Sequence, residues 1–302
     1  MPGVTRRVPF TIYYFRVAVR KEELNFEGVL QELLEGRQGG AFPTVTASGD
    51  QLRLGNLVRT GGTYRGDLHH IDMAQTATKG GPGGRVEPVR LTAEEGILDA
   101  AAFLYDPRLR VLAVERRSQG ATLGRFAGYF EKLEHVGCGV ELHPVVRRDV
   151  DDAYDALSRT TKLTLRIAGG VKTGPGSGAP KAVSSIFDVA EQLGAPEIEV
   201  TVTVAHKYRS QSLIIDRVKR AVDHLRRQDA SGAAEISTLK ITGTDGEGKA
   251  TQTLDLIEER VRDQITLEPN EQRVIPYEAR LAALTASFDD KQKLLDGMFG
   301  AE

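Results

Sequence analysis

Apolar positions along this 302-residue chain switch repeatedly between a two-residue and a 3.6-residue period, and each switch marks a change from strand to helix. Pro9–Val19 (PFTIYYFRVAV) is aromatic and β-branched, which predicts a strand. Phe26, Val29, Leu30, Leu33 and Leu34 then recur at helical spacing, and Gly36 ends the run. Gln51–Arg59 and Asp67–Met73 read as two further strands, with Gly61-Gly62 as the turn between them. Thr76–Pro88 (TATKGGPGGRVEP) carries four glycines and two prolines and reads as a loop or linker.

Beyond it, Ala100–Tyr105 and Leu109–Glu115 flank Asp106-Pro107-Arg108 as a hairpin, proline being favoured early in such a turn. A helix is predicted over Thr122–Leu133, a strand over Val140–Arg147, an acid-led helix over Asp149–Leu157 and a strand over Thr161–Ile167. Gly169–Pro180 (GGVKTGPGSGAP) is the strongest breaker. A helix at Val183–Leu193, a strand at Glu197–Ala205 and a strongly amphipathic helix at Ser212–Gln228 follow. Glu235–Thr242 and Ala250–Leu256 flank a Gly-rich hairpin signal, and a strand near Val261–Leu267 leads to a C-terminal helix over Glu278–Phe299. Frequent hairpins without regular βαβ alternation predict an α+β fold, with antiparallel sheets, packed helices and two domains. The breakers suggest one α+β domain from residues 1–75 plus 181–275. A second α+β segment covers 89–168, either within that domain or as a dimerisation or DNA-contacting domain, and residues 276–302 form the C-terminal helix.

Composition narrows the classes. Forty Lys and Arg against 42 Asp and Glu give a net charge of −2, which excludes a chain that is basic throughout. The single cysteine, Cys138, allows no internal disulfide or Cys-based zinc site and suits a reducing compartment. Charges interrupt every apolar stretch of the N-terminal segment, so no secretory signal is expected. No apolar run nears the ~20 residues of a membrane helix. A cytoplasmic protein is the expectation.

Candidate chemistry is sparse. A phosphate-binding P-loop needs glycine directly before Lys-Ser/Thr, but Val171 precedes Lys172-Thr173 and Pro175 removes an amide donor. His69 and His70 point to opposite faces of a strand, so only His70 and Asp72 share one, too few ligands for a catalytic zinc. Asp149, Asp151, Asp152 and Asp155 open a helix, where the dipole favours acids without any metal. Asp99 or Asp106 followed by Glu115-Arg116-Arg117 lacks the lysine of a restriction-type nuclease. No serine or cysteine sits in a nucleophile elbow, and Cys138, between two glycines, reads as buried and inert. Neither catalytic residues nor metal nor cofactor are expected, and a metal-dependent nuclease using Asp106 or Asp99 with Glu115 is the rival from a different class. A protein-interaction module without nucleic acid is a second rival.

Charge sorting says more. Lys207, Arg209, Arg217, Lys219, Arg220, Arg226 and Arg227 face only Asp216 and Asp223 across one short window. On the helix, Ile214, Val218, Ala221, Val222 and Leu225 mark the buried stripe. Arg217, Arg220, His224 and Arg227 recur at steps of three, four and three, forming one basic ridge. Such a ridge can follow a phosphate backbone and release its counterions. His206-Lys207-Tyr208-Arg209 adds cations beside an aromatic ring. Arg116-Arg117, Arg147-Arg148 and the group Arg159, Lys162 and Arg166 are smaller clusters.

Three stretches carry a resemblance: AAAFLYDPRLRVLAVERR, GVELHPVVRRDVDDAYDALSRTTKLTLRI and AEQLGAPEIEVTVTVAHKYRSQSLIIDRVKRAV. Together with the opening FTIYYFRV and its short Leu-rich helix, they resemble the RexA-like phage-exclusion proteins of lambdoid prophages. The resemblance runs from about residue 100 to 226 and is one of pattern and short phrases, without a catalytic signature. It implies a homodimeric, two-domain protein similar in fold to RdgC, binding double-stranded DNA with little sequence preference. It further implies work beside a RexB-like membrane channel, in an abortive-infection system, without membrane insertion of this chain. The expected reading is a cytoplasmic, prophage-encoded antiviral sensor whose DNA lies in a basic channel across the dimer. Lys207, Arg209, Arg217, Lys219, Arg220, Arg226 and Arg227 are the expected phosphate contacts, with Arg116, Arg117, Arg147 and Arg148 in second rank. Leu281, Leu284, Phe288, Leu295 and Phe299 give the C-terminal helix an apolar stripe, for the dimer or for its own domain.

Overall fold

The structure is a computed structural model describing residues 7–20, 25–36, 41–47, 50–74, 78–80, 86–117, 120–133, 139–168, 180–195, 197–205, 211–230, 234–245 and 251–300. The chain divides into two compact units, one of residues 1–142 with 262–302 and one of residues 143–261. This corrects the division expected from the breakers. The glycine-rich stretch at 169–180 falls inside the second unit, whereas the boundaries run at 142/143, within the strand Val140–Pro144, and at 261/262, just before the strand Arg262–Leu267, and neither coincides with the two long glycine-rich breakers. The C-terminal helix belongs to the first unit.

Both units are built from antiparallel sheets and packed helices, an α+β architecture. In the first, β1 (Val8–Val19), β2 (Thr44–Ala47), β3 (Asp50–Thr60), β4 (Thr63–Asp72), β7 (Ile97–Asp106), β8 (Val111–Glu115) and β14 (Arg262–Leu267) form a sheet in the order β14-β1-β8-β7-β4-β3-β2. β9 (Val140–Pro144) also pairs with β1. The expected loop at Thr76–Pro88 contains a small ribbon instead, β5 (Thr78–Gly80) against β6 (Val86–Pro88).

The side-chain period of two sorts this sheet into two faces. α1 (Phe26–Glu35) and α2 (Leu123–Lys132) cover one of them. There Phe26 meets Tyr105 edge-on at 4.9 Å, and Phe126 meets Phe103 at 5.2 Å; each such pair adds about 0.5–1.5 kcal/mol to area burial. Asn25 caps α1 by accepting from the Gly28 amide at 2.6 Å. α6 (Tyr277–Phe299) covers the other face, with Leu284, Phe288 and Leu295 buried and Tyr14 stacked on Phe288. Its apolar stripe thus packs within its own unit.

The second unit holds β10 (Arg159–Ala168), β11 (Glu197–Thr203), β12 (Glu235–Thr244) and β13 (Gln252–Asp255) in the order β11-β10-β12-β13. α3 (Arg148–Asp155), α4 (Lys181–Leu193) and α5 (Ile215–Ala230) complete it. Leu165 and Ile167 of β10, Leu239 and Ile241 of β12, and Val218, Val222 and Leu225 of α5 share one core. The opposite sheet face is polar: Lys162, Thr164 and Arg166 lie between Thr203, Thr201 and Glu199 on one side and Thr242, Lys240 and Thr238 on the other.

Candidate nucleic-acid interface

α5 positions the largest group of candidate cations. Val218, Ala221, Val222 and Leu225 turn into the core, and that apolar stripe fixes the rotation of the helix. Arg217, Arg220 and Arg227 are left on the exposed side, and none has a hydrogen-bond or ion-pair partner among the described residues. They span ten helical positions, about 15 Å of axis, matching about four steps of a DNA strand at 3.4 Å each. Asp216 and Asp223 share that exposed side, so its excess is one positive charge rather than the larger excess of the whole window.

Two of the expected contacts point elsewhere. Arg226 is mostly buried; its guanidinium lies 3.2 Å from the Asp151 carboxylate of α3 and over the Tyr154 ring. Lys219 donates to the Asp155 carbonyl at 2.8 Å and also lies over Tyr154. Both cations therefore fasten α5 to α3. Burial pushes the Asp151 carboxyl up, with Arg226 drawing it back, and burial also raises the Tyr154 phenol, which donates to Asp223 at 3.1 Å. His224 is in phase with the arginines but only 6% exposed. Burial, and then the Arg227 charge, lower its pKa. The ridge expected of four cations is therefore one of three.

Lys207, Arg209, His206 and Tyr208 lie outside the described residues, as do Cys138 and the Gly169–Pro180 loop up to residue 179. Arg147 is bound to Asp149 at 2.8 Å and Glu259 at 3.1 Å, and Arg148 sits 3.7 Å from Asp152. Arg116 donates to the Tyr13 hydroxyl at 2.8 Å, and Arg117 donates to the Ala100 carbonyl and pairs with Glu115 and Asp99. Arg116 and Arg117 belong to the first unit, the other cations to the second. Lys162 is exposed on the open face of the sheet, which is the face away from α5.

The carboxylates of the nuclease rival are occupied. Asp106 caps its hairpin turn by accepting from the Arg108 amide at 2.8 Å, and Asp99 accepts from the Ala121 amide at 3.0 Å. Glu115 is shared between Arg117 and Arg280 and accepts from the Ala102 amide. No group of three His, Cys, Asp or Glu suited to a metal ion occurs among the described residues.

Sequence reasoning missed one buried polar cluster under α6. Arg280 reaches Glu115 at 3.1 Å and Asp67 at 3.6 Å, while Asp67 also takes His69 at 3.1 Å and the Asn56 amide at 3.2 Å. Asn56 sits at a bulge of β3 with φ 49°. On the other face of β4, His70 meets Asp50 at 2.9 Å and Arg125 holds the same carboxylate at 2.6 Å. Burial opposes ionisation of Asp50, but Arg125 and His70 prevail and lower its pKa. Apart from Asp67 and His69, two positions apart on β4, no local pattern announces these pairs, because the partners lie on different elements.

A model of a family of unknown function, DUF6731, matches residues 74–293. The chain belongs to that family. The DUF6731 match takes in all of the second unit, α5 included, together with β14 and most of α6. No curated protein and no solved structure matches the chain. Among the described residues no helix is long and apolar enough to cross a membrane.

Proposed function

We propose that this chain binds double-stranded DNA through its phosphates, with little sequence preference, and that α5 supplies the contacts through Arg217, Arg220 and Arg227. One observation carries the reading: three guanidiniums stand in a row on an exposed helix face with no partner among the described residues. Arginine forks match phosphate oxygens, and contacts of this kind position a protein without reading bases. Lys207 and Arg209 extend the same basic window in sequence. The resemblance to RexA-like proteins extends the proposal to a cytoplasmic sensor of prophage-encoded phage exclusion, working as a homodimer beside a RexB-like channel. In this reading the protein is a binding module and not an enzyme.

Gel shifts with random-sequence duplexes, run in EDTA and again in magnesium, test it. Retarded and intact DNA in both buffers, lost on charge reversal of Arg217, Arg220 and Arg227, is expected. DNA shortened only in magnesium favours the nuclease rival, and unretarded DNA favours the protein-interaction module; either overturns the proposal.

A further inference from the structure

β11 is the terminal strand of its sheet, and one of its edges has no neighbouring strand among the described residues. Exposed edges of this kind are usually blunted by proline, charged side chains or a bulge. β11 (EIEVTVT) has no proline and no bulge, its register with β10 running without a shift over all seven residues, and its two charges, Glu197 and Glu199, are both paired with Arg166 of the neighbouring strand. The Val204 amide donates to the Thr161 carbonyl at 2.8 Å. Hydrogen-bonded and non-hydrogen-bonded pairs alternate in an antiparallel ladder, so Ile198, Val200 and Val202 direct their backbone groups toward β10. Glu197, Glu199, Thr201 and Thr203 direct theirs outward. The strand itself carries an exposed apolar side chain, Val202, which is 42% exposed.

We infer that the β11 edge pairs with β11 of a second copy of this chain, antiparallel about a twofold axis at Val200, joining two four-stranded sheets into one. The charge pattern of the strand selects that occupant and that register. With Val200 opposite the partner's Val200, Glu199 faces Thr201 and Glu197 faces Thr203 in hydrogen-bonded pairs, while Ile198 lies against Val202. Sliding the strands by two residues in one direction sets Glu199 against Glu199, and like charges directly opposite are destabilising. Sliding in the other direction sets Glu197 opposite Ala205, beyond the end of the strand, and shortens the ladder. Arg166 already lies between Glu199 at 2.6 Å and Glu197 at 3.5 Å on the inner side, and one guanidinium cannot offset a second pair of acids. The inference rests on the strand edge alone and is independent of DNA binding.

Sedimentation equilibrium of the full chain across the micromolar range, with three substitutions at one position, provides the test. Thr201→Pro removes an outward N–H and no bond to β10, a place where an edge strand tolerates proline. It is expected to raise the dimer dissociation constant by about 100-fold through the lost ladder bonds. Thr201→Glu, opposite the partner's Glu199, weakens the dimer, and Thr201→Lys retains it. In a Cys138→Ser background, Val200→Cys is expected to form a covalent dimer on mild oxidation. Its Cα atoms would lie about 4.5 Å apart at a non-hydrogen-bonded pair, within disulfide reach, whereas Ile198→Cys would not cross-link. Circular dichroism confirms folding of each variant. A monomeric wild type, including one whose edge instead takes another protein's strand, overturns the inference. So does a dimer that survives Thr201→Pro, a dimer indifferent to Thr201→Glu, or one in which Val200→Cys fails to link.

Discussion

Arg280 and Glu115, 165 positions apart in the chain, meet at 3.1 Å in the interior of the first unit. The same guanidinium reaches Asp67 and donates to the Ala100 carbonyl at 2.8 Å. A helix near the C-terminus is thereby tied to strands β4, β7 and β8, and two buried carboxylates share one guanidinium as a countercharge.

Arg280→Ala should therefore be among the most damaging single changes in the first unit. Removing one partner of a buried ion pair leaves uncompensated charge and costs about 3–5 kcal/mol. Urea denaturation followed by tyrosine fluorescence measures it, and a loss below about 1 kcal/mol, the range of an exposed pair, would show that the cluster is solvated.

Much of this architecture is legible in the sequence. Val29, Leu30 and Leu33 fix α1, and the Asp106-Pro107-Arg108 turn fixes the hairpin of β7 and β8, because both signals are local. Arg280 is not legible: it reads as one more charge on a polar helix face, and its partners lie more than 150 residues away. The exposed row of Arg217, Arg220 and Arg227 on α5 follows from periodicity. The loss of Arg226 and Lys219 to α3 does not, since it depends on where Asp151 and Tyr154 sit after folding. The inserted second unit is equally silent, since its boundaries fall beside strands β9 and β14 and not at the long glycine-rich breakers.

His224 predicts a pH dependence. Its pKa lies below that of an exposed histidine because of burial and the adjacent Arg227. On acidification the unfolded chain takes up a proton near pH 6.5 that the folded chain resists, so stability falls as pH drops below about 6.5. Unfolding midpoints measured between pH 7.5 and 5.5 should fall for the wild type and fall less for His224→Gln. Equal slopes would show that His224 is solvated in the folded protein.

Arg147 and Arg148 should differ from the α5 arginines. Their charges are already matched by Asp149, Glu259 and Asp152. Arg147→Ala and Arg148→Ala are expected to leave DNA affinity within about two-fold, since a carboxylate within 4 Å offsets most of each guanidinium's attraction for a phosphate. Fluorescence anisotropy with a labelled duplex reads the difference, and a ten-fold loss in either variant would move the interface toward α3.

The most direct measurement is the salt dependence of duplex affinity in the wild type and in an Arg217→Ala, Arg220→Ala, Arg227→Ala variant. Each phosphate contact contributes about 0.9 to the slope of log affinity against log salt. The wild type should therefore lose affinity steeply with salt, and the triple variant should bind more weakly, with its slope flatter by about 2.7 and the loss equal for unrelated sequences. An unchanged affinity and slope in the triple variant would contradict the assignment of α5 as the DNA-binding element.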